Sequence, residues 1–392
     1  MVTLLALAVV FQAPAQLVQP VEAAFALTDN AIIVDAVVNG KNASFMFDTG
    51  FTGYLTISDQ FNIGEPYGTM LLTDFVGQFE AKTVMLESLQ IGGLKQDGLQ
   101  AHVVQLPQGR LSQSYGRHVD GIMGLAAVSD FVTEINIEKS KFIFHPKSVD
   151  ITKRVPDNKR TFLVKMEPTG INHIQLVCEL NGMPLMLTLD TGNSFYVVTH
   201  KEVLVRVKAW DPNEKPKYMT QAGVASGPVD FFQVWINNAD IYGVPVKNSV
   251  WDVIDLPSSD VESDGTVGFM FLKNFNITID YERRYVWLEN WTGKVTDTPE
   301  AEPGIRIYPD DKNQYVVRFI YADSPADEQG IKEGDILRAV DEKSLSMVRP
   351  GDVMKLLRGP EGSDCVLVLS RNHVMKRVEL KRRLMVNGRR ID

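Results

Sequence analysis

Several residue types that carry common protein chemistries are scarce in this chain. Its 392 residues include only two cysteines and six histidines. Cys178 and Cys365 fall in different predicted domains, so they form no disulfide framework and could equally be small core residues. The histidines show no ligand-like spacing, which gives no basis for a zinc site. No serine has the Gly-x-Ser-x-Gly setting, which removes the serine-hydrolase interpretation.

Positive charge is also in the minority. Forty Lys and Arg residues face 49 Asp and Glu residues, giving a formal net charge of −9. An acidic body is a poor binder of nucleic acid, so no nucleic-acid partner is expected. Residues 371–392 form a basic exception with eight Lys or Arg. We interpret this stretch as a solvated last strand and terminus, with contact to an anionic surface as the alternative.

Long apolar runs are missing after the first residues, so no membrane span is predicted. Residues 1–16 combine an apolar stretch with Ala13-Pro14-Ala15, a pattern typical of a secretory signal peptide with a small-residue cleavage site. The usual Lys or Arg near Met1 is missing, which leaves room for a start further upstream. We predict a secreted or periplasmic protein, and a buried first strand is the alternative interpretation.

The chain does contain an internal repeat. At an offset of 142 residues the segment 39–58 falls without a gap on the segment 181–200, and at an offset of 144 the segment 120–144 falls on 264–288. Each copy begins with Asn-Gly between alternating runs, the strongest short signal for a β-hairpin. The matched residues are Asn39-Gly40, Asp48-Thr49-Gly50, Tyr54, Asp120-Gly121, Gly124 and Phe131 in the first copy, and Asn181-Gly182, Asp190-Thr191-Gly192, Tyr196, Asp264-Gly265, Gly268 and Phe275 in the second.

Two acidic triplets on related β-units favour one kind of chemistry. Two carboxylates held close together cannot both ionise easily, so the pair keeps one proton. One member can then act as a base toward water while the other donates to a substrate oxygen. Glycine after Asp-Thr allows close approach of the two backbones, and the threonine hydroxyl can tie the loops together. This chemistry hydrolyses amides without metal or cofactor.

These segments resemble those of pepsin-like and retropepsin-like aspartic proteases, with both lobes in one chain. The resemblance implies a mainly β, bilobal fold, with lobes at 17–155 and 156–292. It also implies that Asp48 and Asp190 are the catalytic pair. The supporting residues it implies are Thr49, Gly50, Thr191, Gly192, Asn193, Gly124 and Gly268. A homodimer of single-lobe chains is disfavoured because both triplets already lie in one chain, so a monomer is expected.

The residue after each triplet departs from the family pattern. The family usually places Ser, Thr or Ala there, where a hydroxyl can donate to the aspartate, whereas this chain has Phe51 and Asn193. Phe51 has no donor, although Thr52 could substitute for it after a small shift. Asn193 has an amide that could donate to Asp190. We therefore predict that Asp190 is the ionised partner and Asp48 the protonated one.

A hairpin that closes over substrate is expected between each triplet and its glycine motif. The candidate flap lies within 67–85, and an ordinary surface hairpin is the alternative. Its tip residues are Thr73, Asp74, Phe75, Val76 and Gly77. In the second copy, residues 220–232 occupy the same place and are richer in small residues. We predict that this second hairpin is a non-closing counterpart.

A third unit follows a polar linker at 293–303. Residues 304–386 resemble a PDZ domain of the bacterial kind, and residues 324–326 and 330–337 carry that likeness. PDZ domains add an extended peptide beside an exposed strand and hold its terminal carboxylate. The likeness implies peptide binding at Gly304, Ile305, Arg306 and Ile307. It also implies a groove wall from the helix beginning near Asp352. A purely structural PDZ unit is the alternative.

The sequence as a whole predicts a secreted or periplasmic aspartic endopeptidase. Its substrates would be peptides or proteins, and its PDZ unit would recruit substrate or regulate cleavage, with a C-terminal peptide as a possible PDZ ligand. The alternative is a non-catalytic peptide-binding protein that retains the cleft. Phe51 is the feature that favours this alternative.

Overall fold

A computed structural model describes residues 17–391, apart from residues 29, 74–77, 109–114, 116, 168–172, 225–226, 257–262, 297–298, 311 and 349. The predicted signal peptide at 1–16 and flap residues Asp74, Phe75, Val76 and Gly77 therefore lie outside the described residues. Within the described part the chain is mainly β, as predicted. The strands of the described part form four β-sheets.

The first sheet contains the first acidic triplet and has the strand order β2-β3-β4-β9-β5-β8-β7-β6. Its strands are β2 (Ala26–Leu27), β3 (Ile32–Val38), β4 (Lys41–Phe47), β5 (Leu55–Ser58), β6 (Gly68–Thr73), β7 (Gln78–Ile91), β8 (Leu94–Leu106) and β9 (Gly121–Met123). The turn between β3 and β4 is made by Asn39 at φ 47° and Gly40 at φ 79°. Positive φ at both central positions is what a two-residue hairpin turn of this type requires.

The second sheet repeats this arrangement in the order β13-β14-β19-β15-β18-β17-β16. Its strands are β13 (Gln175–Leu180), β14 (Met183–Leu189), β15 (Val197–His200), β16 (Thr220–Val224), β17 (Gly227–Ile241), β18 (Val244–Ile254) and β19 (Gly265–Val267), with the helices α1 (Lys201–Arg206) and α2 (Phe269–Leu272) beside them. Each strand from β13 to β19 corresponds in order to one strand from β3 to β9. The internal repeat is therefore a repeat of strand topology as well as of sequence.

A shared sheet joins strands from both copies in the order β1-β11-β10-β20-β21-β12. Its strands are β1 (Val21–Ala24), β10 (Val132–Asn136), β11 (Lys141–His145), β12 (Thr161–Lys165), β20 (Phe275–Asp280) and β21 (Tyr285–Asn290). The pairing of β10 with β20 crosses between the copies, with Ile135 opposite Ile277. Both side chains lie in one hydrophobic core that also contains residues of the first and second sheets.

A C-terminal sheet has the order β22-β23-β24-β26-β27, with β25 beside β24. Its elements are β22 (Ile305–Pro309), β23 (Tyr315–Ile320), β24 (Ile336–Val340), β25 (Lys343–Ser344), β26 (Asp364–Arg371) and β27 (Val374–Lys381), with the helices α3 (Pro325–Glu328) and α4 (Pro350–Leu357). It packs around a hydrophobic core of its own that contains Cys365. Cys178 lies in the other core. Both thiols are buried and free, which agrees with their interpretation as core residues.

The last strand leaves this C-terminal unit. β28 (Val386–Asn387) pairs in parallel with β17 of the second sheet. The prediction of a solvated terminus is therefore wrong for Asn387. This side chain is buried, because its carboxamide bonds to the backbone of Lys217 and Gln233. The predicted linker is also partly structured, since Ala301 and Glu302 form isolated bridges with Gly359 and Arg383.

Candidate active site

The two acidic triplets occupy equivalent positions in the first and second sheets. Asp48 follows β4 directly, and its N–H donates to Met123 O at 2.8 Å. Asp190 follows β14, and its N–H donates to Val267 O at 3.0 Å. β9 and β19 run parallel to β4 and β14. Each aspartate is thus held at the end of a buried strand by the short strand beside it.

The two threonines cross-link the loops through four hydrogen bonds. Thr49 N donates to Thr191 Oγ1 at 3.1 Å, and Thr191 N donates to Thr49 Oγ1 at 2.9 Å. Each hydroxyl then donates across to the other copy, Thr49 to Leu189 O at 2.7 Å and Thr191 to Phe47 O at 2.9 Å. Both side chains are fully buried, where satisfied hydrogen bonds hold a geometry rigidly.

The two glycines allow each loop to approach the opposite carboxyl group. A Cβ added to Gly50 would lie 2.7 Å from Asp190 Cγ, and one added to Gly192 would lie 2.2 Å from Asp48 Cγ. Any side chain at these positions would clash with a carboxyl group, so close packing of the two loops requires glycine.

The two carboxyl groups are hydrogen-bonded to each other. Burial and the neighbouring Asp48 charge raise the pKa of Asp190 well above its ordinary range. Burial also raises the pKa of Asp48, against the lowering effect of its bond with Asp190 and of the backbone N–H groups of Gly50 and Phe51. Those N–H groups donate to Asp48 Oδ1 at 2.7 and 3.2 Å. The pKa of each carboxyl group is thus raised, which favours a pair that keeps one proton.

The glycine motifs brace the loops from behind. Leu125 N donates to Phe51 O at 2.8 Å, and Phe269 N donates to Asn193 O at 2.7 Å. A Cβ on Gly124 would lie 2.4 Å from Phe51 O, and one on Gly268 would lie 2.3 Å from Phe195 O. The structure thus brings Gly124 and Gly268 to the two loops, in the supporting positions that the resemblance implies.

The side chains after the triplets differ from the predicted roles. The Asn193 amide donates to Thr266 Oγ1 at 2.7 Å, and its Oδ1 accepts from Phe195 N at 2.9 Å. Asp190 instead accepts the backbone N–H groups of Gly192 and Asn193. The predicted side-chain donor to Asp190 is therefore wrong, because the Asn193 amide is engaged by Thr266, and which aspartate is ionised stays a prediction. The Phe51 ring lies against Gly124 and Gly53.

Two hairpins occupy the positions predicted for the flap and its counterpart. β6 and β7 pair from Gly68 opposite Thr83 to Thr73 opposite Gln78. β16 and β17 pair from Thr220 opposite Phe231 to Val224 opposite Gly227. A flap role for Thr73 and the four tip residues stays a prediction.

The predicted peptide-binding strand of the C-terminal unit is an edge strand. β22 pairs with β23 on one side, and α4 lies beside it. Gly304 has φ +86°, and an added Cβ would lie 2.3 Å from Ser324 Cβ. Ile305 and Ile307 point into the core. The edge position fits the prediction for this segment, while two inward isoleucines leave little side-chain surface for a ligand.

Arg306 has a role that the sequence did not predict. Its guanidinium donates to both carboxylate oxygens of Glu302 at 2.9 Å and also bonds Tyr321 Oη. Burial raises the pKa of Asp252 on β18 to about 7, although the Arg306 charge acts in the opposite direction. Arg306 thus bonds within the C-terminal unit, and its charge acts on Asp252 of the second sheet. Glu302 lies only four residues earlier, whereas Tyr321 and Asp252 are distant in the chain and have no signal in the local sequence.

The comparisons with known proteins concern the C-terminal unit. Residues 316–371 match the PDZ domain family, and this part of the chain is a PDZ domain. A PDZ domain indicates a protein-interaction role, since such domains bind peptides. The photosystem II D1 C-terminal processing protease is similar at 24% identity over 24% of this chain, with a TM-score of 0.22. The match covers 25% of that protein. No curated protein sequence matches the chain.

Two features are missing from the described residues. Across the described part of the chain, no helix is long and apolar enough to cross a membrane. No group of three His, Cys, Asp or Glu side chains within those same ranges could hold a metal ion.

Proposed function

We propose that this protein is a secreted or periplasmic aspartic endopeptidase with a bilobal, pepsin-like fold. The first and second sheets would form its lobes, and Asp48 and Asp190 would be its catalytic pair. It would act as a monomer without metal or cofactor, because each lobe supplies one carboxyl group. The PDZ domain would recruit protein substrates or regulate cleavage.

One observation carries the proposal. Two carboxyl groups from equivalent loops share a hydrogen bond, and each lies against the glycine of the opposite loop. A fold that needed these loops for packing alone would not gain from burying two acids together, because like charges in a buried site are costly. Paired carboxyl groups that share one proton are suited to general acid–base catalysis.

In the proposed reaction the shared proton is assigned to Asp190, the more deeply buried member of the pair. Asp48, the partly exposed and ionised member, takes a proton from water as the water oxygen bonds to the scissile carbonyl carbon. Asp190, the protonated member, donates its proton to the carbonyl oxygen. The resulting gem-diol then collapses: its C–N bond breaks, Asp48 gives its proton to the leaving amine, and a diol hydroxyl returns a proton to Asp190. The pair ends in its initial state.

The test is hydrolysis of a mixed peptide library by the wild-type protein and by Asp48→Asn and Asp190→Asn variants. Either substitution should lower the rate by about 10³-fold or more with the fold retained, because the mechanism needs both carboxyl groups. Asp35→Asn, at an exposed aspartate, is the matched control and should keep full activity. Near wild-type cleavage by Asp190→Asn would contradict the shared-proton site.

A binding measurement separates the alternative function. If the wild-type protein binds library peptides but leaves them intact, it is a non-catalytic peptide-binding protein. Phe51, which offers Asp48 no side-chain donor, is the observation that favours that alternative. Inhibition by a transition-state mimic of the pepstatin kind would instead support the peptidase.

A further inference from the structure

The chain continues beyond the PDZ domain and returns to the second sheet. Val386 and Asn387 form β28, which lies opposite Gln233 and Val234 of β17. Further contacts extend the attachment: Asn237 Nδ2 donates to Arg389 O at 3.1 Å, and Ile391 N donates to Asn237 Oδ1 at 2.8 Å. The segment 386–391 thus attaches the PDZ domain to the strand that forms one arm of the β16–β17 hairpin.

One buried side chain joins both arms at the foot of that hairpin. Asn387 Oδ1 accepts from Lys217 N at 2.6 Å and from Tyr218 N at 3.2 Å, just before β16 begins. Its Nδ2 donates to Tyr218 O at 3.2 Å and to Gln233 O at 2.9 Å, on the other arm. All its amide hydrogen-bonding groups are used on backbone, so the carboxamide works as a cross-link between the arms.

Apolar packing reinforces this attachment. Tyr218, Tyr321 and Met385 form a buried cluster with Phe319 packed against it. Tyr321 and Phe319 belong to the PDZ region, whereas Tyr218 lies two residues before β16 of the second sheet. Burial of three large side chains here makes the position of the hairpin foot dependent on the position of the PDZ domain.

The hairpin is in turn connected to the Asp190 loop. Phe231 of β17 packs on Phe195 with ring centroids 5.7 Å apart. Phe195 N donates to Asn193 Oδ1 at 2.9 Å, and Asn193 N donates to Asp190 Oδ1 at 2.9 Å. Contacts therefore run without a break from Asn387 through β17 to one carboxyl group of the proposed site.

We infer that the PDZ domain, through Asn387, fixes the β16–β17 hairpin against the Asp190 loop and thereby controls peptide access to the proposed cleft. This inference rests on the proposed function for its effect on cleavage. Its structural half, immobilisation of the hairpin, is independent of catalysis. A PDZ domain that moved relative to the second sheet would release the hairpin and weaken substrate binding.

The test uses the full chain with Asn387→Ala, and Lys381→Ala as the control. Lys381 lies in the same basic stretch but pairs with the exposed Asp364. Hydrogen exchange of backbone amides in 217–224 and 227–233 should become about tenfold faster in Asn387→Ala, because several hydrogen bonds at the foot are lost. Exchange in 68–73 and 78–83, the arms of the first-sheet hairpin, should stay unchanged. KM for a peptide substrate should rise several-fold while kcat stays within about twofold of wild type.

A second variant keeps the inference testable if Asn387→Ala does not fold. Asn387→Asp retains the acceptor for Lys217 N and Tyr218 N but cannot donate to Tyr218 O or Gln233 O, so it should weaken the cross-link between the two arms. Exchange in 217–224 and 227–233 that stays within about twofold of wild type in a folded variant overturns the inference. If the wild-type protein cleaves no peptide, the proposed function is wrong. The exchange measurement still shows whether Asn387 immobilises the β16–β17 hairpin.

Discussion

The hairpins of the two copies have different surroundings. In the β6–β7 hairpin, Leu71 is 59% exposed and Met70 is 38% exposed. In the β16–β17 hairpin, Thr220 and Phe231 are buried, and the PDZ domain and β28 lie against its foot. Two copies with the same strand order thus carry one open hairpin and one covered hairpin.

This difference shows that the acidic loops and the hairpins of the two copies are constrained differently. The loops that carry Asp48 and Asp190 keep the same contacts in both copies, because each completes the other. The hairpins are not subject to that reciprocity, so the second could acquire a partner while the first stayed open. The comparison can be tested first at the loops, where symmetry is expected, and then at positions where the copies diverge.

After substitution of the aspartates themselves, the largest effects are expected from a methyl group on either loop glycine. Gly192→Ala would place Cβ 2.2 Å from Asp48 Cγ, and Gly50→Ala would place it 2.7 Å from Asp190 Cγ. Displacement of a reacting group by such a clash should lower kcat by about 100-fold. Gly192→Ala should be the more damaging, since its clash is closer. Steady-state peptide hydrolysis measures both, and full activity in Gly192→Ala would contradict the described approach of the loops.

Loss of either threonine hydroxyl should destabilise the fold equally. Thr49→Val leaves Thr191 N and Leu189 O without their partner, and Thr191→Val leaves the equivalent pair. Each should lower the free energy of unfolding by about 2 kcal/mol, measured by urea denaturation. The exposed Thr69, substituted in the same way, is the control. A clear inequality between the two variants would show that the cross-link is not symmetric.

Asp252 should give the second sheet a pH dependence of stability. Val104 of β8 is its counterpart, since it lies opposite Thr56 as Asp252 lies opposite Val198. Burial raises the folded-state pKa of Asp252 to about 7, so the folded state holds a proton that the unfolded state releases near pH 4. The free energy of unfolding should therefore fall by up to about 1.4 kcal/mol per unit as pH rises from about 4 to 7, then level off.

Asp252→Asn should remove this slope and gain stability relative to wild type as pH rises. Thermal unfolding from pH 5 to pH 8 measures the difference, with the exposed Asp230→Asn as control. Parallel stability curves for Asp252→Asn and wild type would show that Asp252 is not held protonated by burial.

The smallest effect is expected at Asn193. Its amide donates to Thr266 and not to Asp190, so Asn193→Ala should cost about 1 kcal/mol of stability. The upper limb of the pH–rate profile should stay in place, since Asp190 keeps its backbone donors. A shift of that limb to higher pH would indicate that the Asn193 amide donates to the Asp190 carboxylate after all.

The sequence predicts the repeated elements and the local turns of the two copies. The Asn-Gly turns at 39–40 and 181–182 adopt the positive φ values that their residue types favour. The offset of 142 residues relates Thr49 to Thr191, and these equivalent residues bond to each other across the two loops.

The sequence does not indicate a side chain's partner where several partners compete or where the partner is distant in the chain. Asn193 has both Asp190 and Thr266 within reach, and their geometry decides between them. Asn387 bonds to Tyr218, 169 residues earlier in the chain, and nothing in the local pattern at 386–387 indicates such a partner. The attachment of the PDZ domain to the second sheet was missed for the same reason.

The position of β28 in the chain has a consequence for the order of events during synthesis. Chains fold from the N-terminus as they emerge, and domains generally fold as units. All strands of the first sheet precede residue 124, whereas the foot of the β16–β17 hairpin waits for Asn387, which follows the whole PDZ domain. The first half of the molecule can mature early, while the second is completed last. The delay separates the moment when Asp190 is made from the moment when its surroundings become rigid.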